Sequence, residues 1–198
     1  MSWVYRGNVN LPQADRDTNA WEMYNYFHPR GWTTESIAAM VGNIDVESTV
    51  NPQRINANSG ASGLTQWTGT RKTNMQNYVV STLGYSDWTN GDGQQQYIYY
   101  EYQHPSATDS WLLRGGYTRS FAEFAANTYG DTLADLTYMW QMCYERVSIG
   151  TPVVIRYTKA QYYYALFGGT PPGPGGNVPK WLLFGRRRQR RVKRTIYL

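Results

Sequence analysis

Apolar side chains recur at helical spacing along most of the chain. Residues 31–48, GWTTESIAAMVGNIDVES, are the clearest case, and Thr33 or Thr34 can cap the first turn of the helix they predict. The side chains that share its apolar face are Ile37, Met40, Val41 and Ile44. Residues 17–27 predict an earlier helix with Asn19 as its N-cap. The pattern favours a domain built mainly of helices.

Further helices are predicted after residue 68. They cover residues 69–83 and 91–103, followed by a pair of helices, one within 120–130 and one within 131–147. A last helix begins at 158 and stops at Gly168. Thr158 and Gln161 have the spacing of a capping box at the start of that last helix. Residues 152–157, PVVIRY, are rich in β-branched side chains and predict a short strand. The polar loop 51–63 has room for a small hairpin.

Composition changes sharply after residue 168. Residues 169–179, GTPPGPGGNVP, read as a Gly/Pro linker, and residues 180–198 form a tail that contains RRRQRRVKR and no acid. Eight of the 19 basic residues lie in that tail, so residues 1–179 carry 11 basic and 14 acidic groups, a net charge of −3. We therefore expect a domain over residues 1–168 and a basic docking tail with partners of its own.

Several classes of protein are disfavoured by composition. No run of about 18 apolar residues predicts a membrane span, and residues 1–13 do not resemble a secretory signal. One cysteine, Cys143, excludes an internal disulfide. Only two histidines, His28 and His104, are present, both next to prolines, so we expect surface residues there and neither a metal site nor a metallopeptidase. No cofactor is expected.

Glu47 is the candidate for chemistry. It follows Ile44 by three residues and Met40 by seven, so it continues the apolar face of the predicted helix near its C-terminal end. Burial and the partial negative charge of a helix C-terminus both favour a protonated carboxyl, as a general acid near neutral pH requires. The alternative is a helix-end carboxylate that bonds to loop amides.

The surroundings of Glu47 resemble the phage tail-tip lysozymes, virion-associated members of the lysozyme and lytic transglycosylase superfamily. The matching motif residues are Gly42, Asn43, Glu47, Ser48, Asn51, Pro52, Gly63, Leu64, Gln66 and Trp67. Residues 94–102, QQQYIYYEY, and 138–147, YMWQMCYERV, are similar to later helices of the family. The resemblance extends in order over residues 22–147.

The resemblance implies an α+β, mainly α, lysozyme-like fold, with helices around a cleft and a small β-hairpin on one wall. It implies that Glu47 is the catalytic acid that protonates the β-1,4 glycosidic oxygen of peptidoglycan. Gln66 would offer an amide to the substrate, and Ser62 or Thr65 a hydroxyl. Tyr129, in AANTYG, resembles a tyrosine near transglycosylase active sites, although the order of its neighbours differs.

A second carboxylate is not evident near Glu47, because the loop 51–70 contains no acid. Either the substrate supplies the second group, as in lytic transglycosylases, or Asp87, Asp92 or Glu101 folds into the cleft. Hydrolysis and anhydro-sugar formation both stay open. For Glu145 we expect an internal contact with an arginine or with the backbone, and not a catalytic role.

The predicted function is a virion-associated glycosidase of a phage tail tip, which opens the host cell wall for genome delivery. The alternatives are an inactive tail plug that keeps the lysozyme fold, and a nucleic-acid-binding protein whose affinity resides in residues 180–198. The expected partners are peptidoglycan and, through the tail, other phage tail proteins. Viral DNA and a membrane surface are further candidates for the tail.

Overall fold

A computed structural model of the protein describes residues 2–148 and 153–168. The α-helices in these ranges are α1 Gln13–Phe27, α2 Thr34–Ser48, α3 Gly69–Asn77, α4 Gly91–Gln103, α5 Pro105–Thr108, α6 Phe121–Ala126, α7 Leu133–Met139 and α8 Val154–Leu166. A 3₁₀ turn, His28–Arg30, follows α1, and π-helical turns Tyr78–Thr82 and Trp140–Tyr144 extend α3 and α7. The mainly helical expectation is confirmed.

Helix α2 forms the centre of the domain and packs against α8, α7 and α1. Thr33 caps it by accepting a hydrogen bond from the Ser36 amide at 3.2 Å, as predicted. Gly42 allows the close approach of α8, because a Cβ atom at this position would lie 2.5 Å from the Ala160 nitrogen. A larger residue at position 42 would force the two helices apart.

The predicted strand over 152–157 is wrong for its described residues, 153–157. Helix α8 begins at Val154, since burial of this segment against α2 outweighs its β-branched composition. Thr158 therefore lies inside the helix and does not cap it; its hydroxyl donates to the Val154 carbonyl at 2.9 Å. The helix ends as predicted near Gly168, which has a φ of 87°.

Asn19 is not an N-cap. Helix α1 starts earlier than predicted, after Pro12, whose fixed φ and missing N–H suit a helix start. Asn19 is instead buried in the helix interior, where its side chain accepts from the Val4 amide at 2.7 Å and donates to the Val50 carbonyl at 3.0 Å. It ties the N-terminal segment to the turn that follows α2.

The predicted hairpin is not formed. No strand occurs in the described parts of the chain, and the loop after α2 contains two isolated antiparallel bridges, Ile55–Ser62 and Ser62–Trp67. Asn56 accepts hydrogen bonds from the amides of Asn58 and Ser59, which favours tight turns over a regular ladder. The wall after α2 is therefore a folded loop.

Some expectations concern residues outside the described ranges. The linker 169–179 and the basic tail 180–198 are among them. Among the described residues, no helix has the length and apolar character needed to cross a membrane.

Candidate functional site

Glu47 lies one residue before the end of α2, and about a quarter of its side chain is exposed. The chain turns sharply after it, because Thr49 and Val50 both have left-handed backbones, with φ values of 58° and 54°. A β-branched residue such as Val50 rarely adopts positive φ, so its surroundings must hold it there. The sharp turn brings the following loop back beside Glu47.

The other motif residues hold this loop in place. Ser48 donates from its hydroxyl to the Leu64 carbonyl at 2.7 Å. Gln94 accepts from the Leu64 amide at 2.9 Å and donates to the Pro52 carbonyl at 2.8 Å. Asn51 donates to the Gly7 carbonyl at 2.9 Å. Since these buried polar groups are paired with backbone, they support the site structurally.

Arg156 of α8 is the partner of Glu47. Its buried guanidinium donates from Nη2 to Glu47 Oε1 and from Nη1 to Glu145 Oε2 at 2.6 Å. Nη1 also lies 3.2 Å from Oδ1 of Asn43, one of the motif residues of α2. One buried arginine therefore holds two glutamates from separate parts of the chain.

Glu145 is the more deeply buried of these glutamates, with 3% of its side chain exposed. Burial raises the pKa of Glu145 to about 8; Arg156 opposes this rise, and the negative charge of Glu47 adds to it. Trp140 donates from its indole N–H to Glu145 Oε1 at 3.2 Å. The predicted internal contact of Glu145 with an arginine is present, and this carboxyl retains its proton more readily than an exposed one.

A polar cavity of about 470 Å³ lies beside this cluster. Residues 65–68, 70–71, 109 and 144–146 line it. Glu145 reaches its wall, whereas Glu47 does not line it and connects to it through Arg156 and Glu145. The loop after α2 and the end of the α7 segment thus both contribute to one concave surface.

The predicted substrate-binding residues fall into two groups. Thr65 and Gln66 line the cavity, and Gln66 donates from its amide to the Gly63 carbonyl at 2.9 Å. Ser62 is buried, and its hydroxyl donates to the Gly60 carbonyl at 3.1 Å. Tyr129 is exposed and donates to Glu123 at 3.0 Å. Neither Ser62 nor Tyr129 lines the cavity, so a substrate role for either remains a prediction.

The acids considered as second carboxylates are engaged elsewhere. Asp87 accepts from the Thr89 amide at 2.8 Å, and Asp92 accepts from the Trp3 indole at 3.1 Å. Glu101 is fully buried and bonds to Arg71 through both carboxylate oxygens. Glu145, which shares Arg156 with Glu47, is therefore the candidate partner of Glu47.

Sequence reasoning missed Arg156 because it placed this residue in a strand. The available signal was a single charge within the otherwise apolar PVVIRY, since a charge on a buried segment requires a partner. In residues 2–148 and 153–168, no group of three or more His, Cys, Asp or Glu side chains is arranged to hold a metal ion.

Comparison with known proteins places these motifs in a family. The model of the phage tail lysozyme family matches residues 18–167 and confirms the resemblance of the chain to that family. The chain is 29% identical over 178 residues to a Bacillus phage B103 protein named morphogenesis protein 1. That alignment covers 83% of this chain and 43% of the relative, so the chain spans less than half the relative's length.

Proposed function

Because this chain belongs to the phage tail lysozyme family, we propose that it cleaves the β-1,4 glycosidic bonds of peptidoglycan, with Glu47 as general acid. The observation that carries the proposal is the convergence of Glu47 and Glu145 on Arg156 beside a polar cavity. Paired carboxyls at a concave polar surface suit glycoside cleavage, where one carboxyl must protonate the leaving oxygen.

The charge balance of the cluster supports this chemistry. When both glutamates are ionised, one guanidinium leaves a net negative charge in partly buried surroundings, so the cluster favours keeping one proton between the two carboxyls. Burial raises the pKa of Glu145, which favours this carboxyl as the holder of the proton in the free protein. In the proposed reaction this proton passes from Glu145 to Glu47, the more exposed of the two carboxyls, and from Glu47 to the glycosidic oxygen. Arg156 then stabilises the ionised Glu47.

The fate of the sugar depends on what attacks it. Water yields a reducing end, whereas the 6-hydroxyl of the substrate yields an anhydro end and needs no second protein carboxylate. Thr65 and Gln66 lie in the cavity wall, where a hydroxyl and an amide can orient the sugar. Ser62 and Tyr129 are retained as weaker candidates for contacts with more distant parts of the glycan.

The biological setting follows from the family. The protein is a tail-associated lysozyme-like protein of a phage particle. The finer proposal is a location at the tail tip, where the enzyme opens the host cell wall during genome delivery. We assign residues 1–168 to the catalytic domain, 169–179 to a linker, and 180–198 to docking on other tail proteins, DNA or a membrane surface through its positive charge.

A non-catalytic role is the second candidate. The phage B103 relative is named for morphogenesis, and this favours a structural part of the tail that keeps the lysozyme fold. The ion pair between Glu47 and Arg156 also suits a purely structural carboxylate. These observations make turnover the property to test.

The test is release of soluble muropeptides from purified peptidoglycan, with mass spectrometry of the products. Glu47→Gln preserves size and hydrogen bonding but cannot donate a carboxylic proton, so release should fall by roughly 10²- to 10⁴-fold. Glu35→Gln, at the opposite end of α2 and bonded to Tyr164, is the matched control and should retain activity. An anhydro product differs from a hydrolysed one by one water.

Each other outcome has a defined meaning. Full activity of Glu47→Gln together with an inactive Glu145→Gln would transfer the acid role to Glu145. No release by the wild type from several wall types would favour the structural role.

A further inference from the structure

Arg146 contributes a second positive charge to the cavity wall, and its guanidinium is only partly used. Nη1 donates to Asp109 Oδ2 at 3.1 Å. Nε and Nη2 are buried, and neither has a hydrogen-bond partner among the described residues. A buried donor left unpaired is destabilising, and more so when it is charged. Such a group in a cavity wall indicates a ligand that completes its bonding.

Arg71, in the same cavity wall, shows what the unused edge of Arg146 can bind. Its Nε and Nη2 donate to the two carboxylate oxygens of Glu101, at 2.9 and 3.0 Å, while its Nη1 donates to the Tyr144 carbonyl. These two nitrogens form one edge of the planar guanidinium and match the spacing of the oxygens in a carboxylate. In Arg71 that edge is filled by the protein itself, whereas in Arg146 the same edge has no partner within residues 2–148 and 153–168.

The backbone places Arg146 at the cavity rather than in a helix. Its φ of 63° ends the π-helical turn directly after Glu145, and its carbonyl accepts from Nη1 of Arg114 at 3.2 Å. Consecutive residues, Glu145 and Arg146, therefore both reach the cavity wall. A group bound by Arg146 lies next to the carboxyl cluster.

We propose that Arg146 forms a subsite for a carboxylate carried by the muramyl unit of the glycan, and this rests on the proposed function. The sugar rings of peptidoglycan are uncharged, so its carboxylates are the features that an arginine can distinguish from neutral glycan. Two sources share this chemistry: the lactyl carboxylate of a muramyl unit without peptide, and the free carboxylates of the stem peptide.

Binding requires a small rearrangement of the Arg146 side chain. The two free nitrogens are enclosed in the unbound arrangement, so the guanidinium must turn to present them. Its present partner permits this turn, because the side chain of Asp109 is 68% exposed and an ion pair with such a residue holds the guanidinium only weakly. A substrate carboxylate replaces a weak contact and fills the free edge at the same time.

The test measures affinity by calorimetry in the full-length Glu47→Gln protein, so that turnover does not interfere. The ligands are a neutral chitooligosaccharide, a peptide-free glycan fragment with lactyl carboxylates, and the same fragment with stem peptides whose carboxylates are either free or amidated. The added change is Arg146→Lys, which keeps the charge but loses the two-nitrogen edge. Arg6→Lys is the matched control, because Arg6 forms an ion pair with Asp15 and neither residue lines the cavity.

Arg146→Lys should weaken binding of a carboxylate-bearing fragment by roughly 10-fold or more, since a two-point charged contact is lost, and leave the neutral ligand unchanged. If Arg146→Lys weakens binding of the peptide-free fragment, the ligand is the lactyl carboxylate. If it weakens binding only of fragments whose stem-peptide carboxylates are free, and not of the amidated ones, the ligand is a stem-peptide carboxylate. Equal weakening of neutral and charged ligands, no weakening, or no binding of any fragment by the parent protein would overturn the subsite.

Failure of the subsite and failure of the proposed function are distinguishable. If Arg146→Lys in the otherwise wild-type protein changes neither muropeptide release nor affinity, the subsite is rejected and the glycosidase activity stands. Absence of release together with Arg146-dependent binding of carboxylate-bearing fragments rejects turnover and leaves the subsite. A thermal melt of each variant shows that it is folded.

Discussion

Glu101 and Glu145 both have buried side chains, and they differ in how many carboxylates share the arginine that each one contacts. Glu101 has Arg71 to itself and also accepts from the Trp67 indole and the Tyr144 hydroxyl. Glu145 shares Arg156 with Glu47 and accepts from a single indole. The first cluster balances its charges, whereas the second has one carboxylate more than guanidinium.

The difference separates structural from chemical roles. A balanced buried pair gains little by exchanging protons, so we assign the Glu101 cluster a structural role. It connects α3, α4 and the end of the α7 segment. When two carboxyls share one guanidinium, one of them has a raised pKa, and burial raises the pKa of Glu145 to about 8. Three predictions test this contrast, starting with the largest expected effect.

Glu101→Gln should lower the free energy of unfolding by about 3–5 kcal/mol, because it leaves Arg71 partly buried without its counter-charge. Urea denaturation at pH 7 measures the change. Glu35→Gln, a half-buried glutamate outside both clusters, should change stability far less. If the two variants were equally stable, the Glu101 cluster would not have the structural role assigned to it.

Tyr144→Phe should cost about 1.5–3 kcal/mol, because Glu101 loses one hydrogen-bond donor but keeps Arg71. The same denaturation experiment detects it. Tyr162→Phe, which removes a hydroxyl bonded to Asp17 on the exposed face of α8, serves as the control and should cost much less. A loss below that of the control would show that the Tyr144 hydroxyl contributes nothing to the cluster.

The stability of the wild type should fall as pH rises from about 4.5 to about 8. In this window folded Glu145 holds a proton that the unfolded chain releases, so unfolding is favoured by rising pH. One proton limits the slope to about 1.4 kcal/mol per pH unit. Thermal unfolding across this range measures it, and Glu145→Gln should flatten the curve. A wild-type curve parallel to that of the variant would mean that Glu145 ionises normally.

The sequence predicted elements well where local signals agreed. Helix α4 begins at Gly91 and ends at Gln103 as expected, because Asn90 caps it and the apolar spacing continues to its end. Helix α8 was misjudged at its start, since β-branched residues suggested a strand and only contact with α2 makes them helical. The hairpin was also overestimated, because loop composition indicates turns but does not fix strand pairing.

The candidate site was predictable in part for the same reason. Glu47 could be singled out because its position relative to Ile44 and Met40 is a local property of one helix. Its partner could not, because Arg156 is 109 residues away and the contact depends on how α8 packs against α2. Glu145 was correctly expected to contact an arginine, but its connection to Glu47 appears only in three dimensions.

We propose that the cluster of Glu47, Arg156 and Glu145 holds one proton near neutral pH. The most direct test is ¹³C NMR of the side-chain carboxyls of the six glutamates as a function of pH. We expect one glutamate carboxyl to remain protonated at about pH 6.5 and its signal to be lost in Glu145→Gln. Ionisation of all six carboxyls by that pH would contradict it.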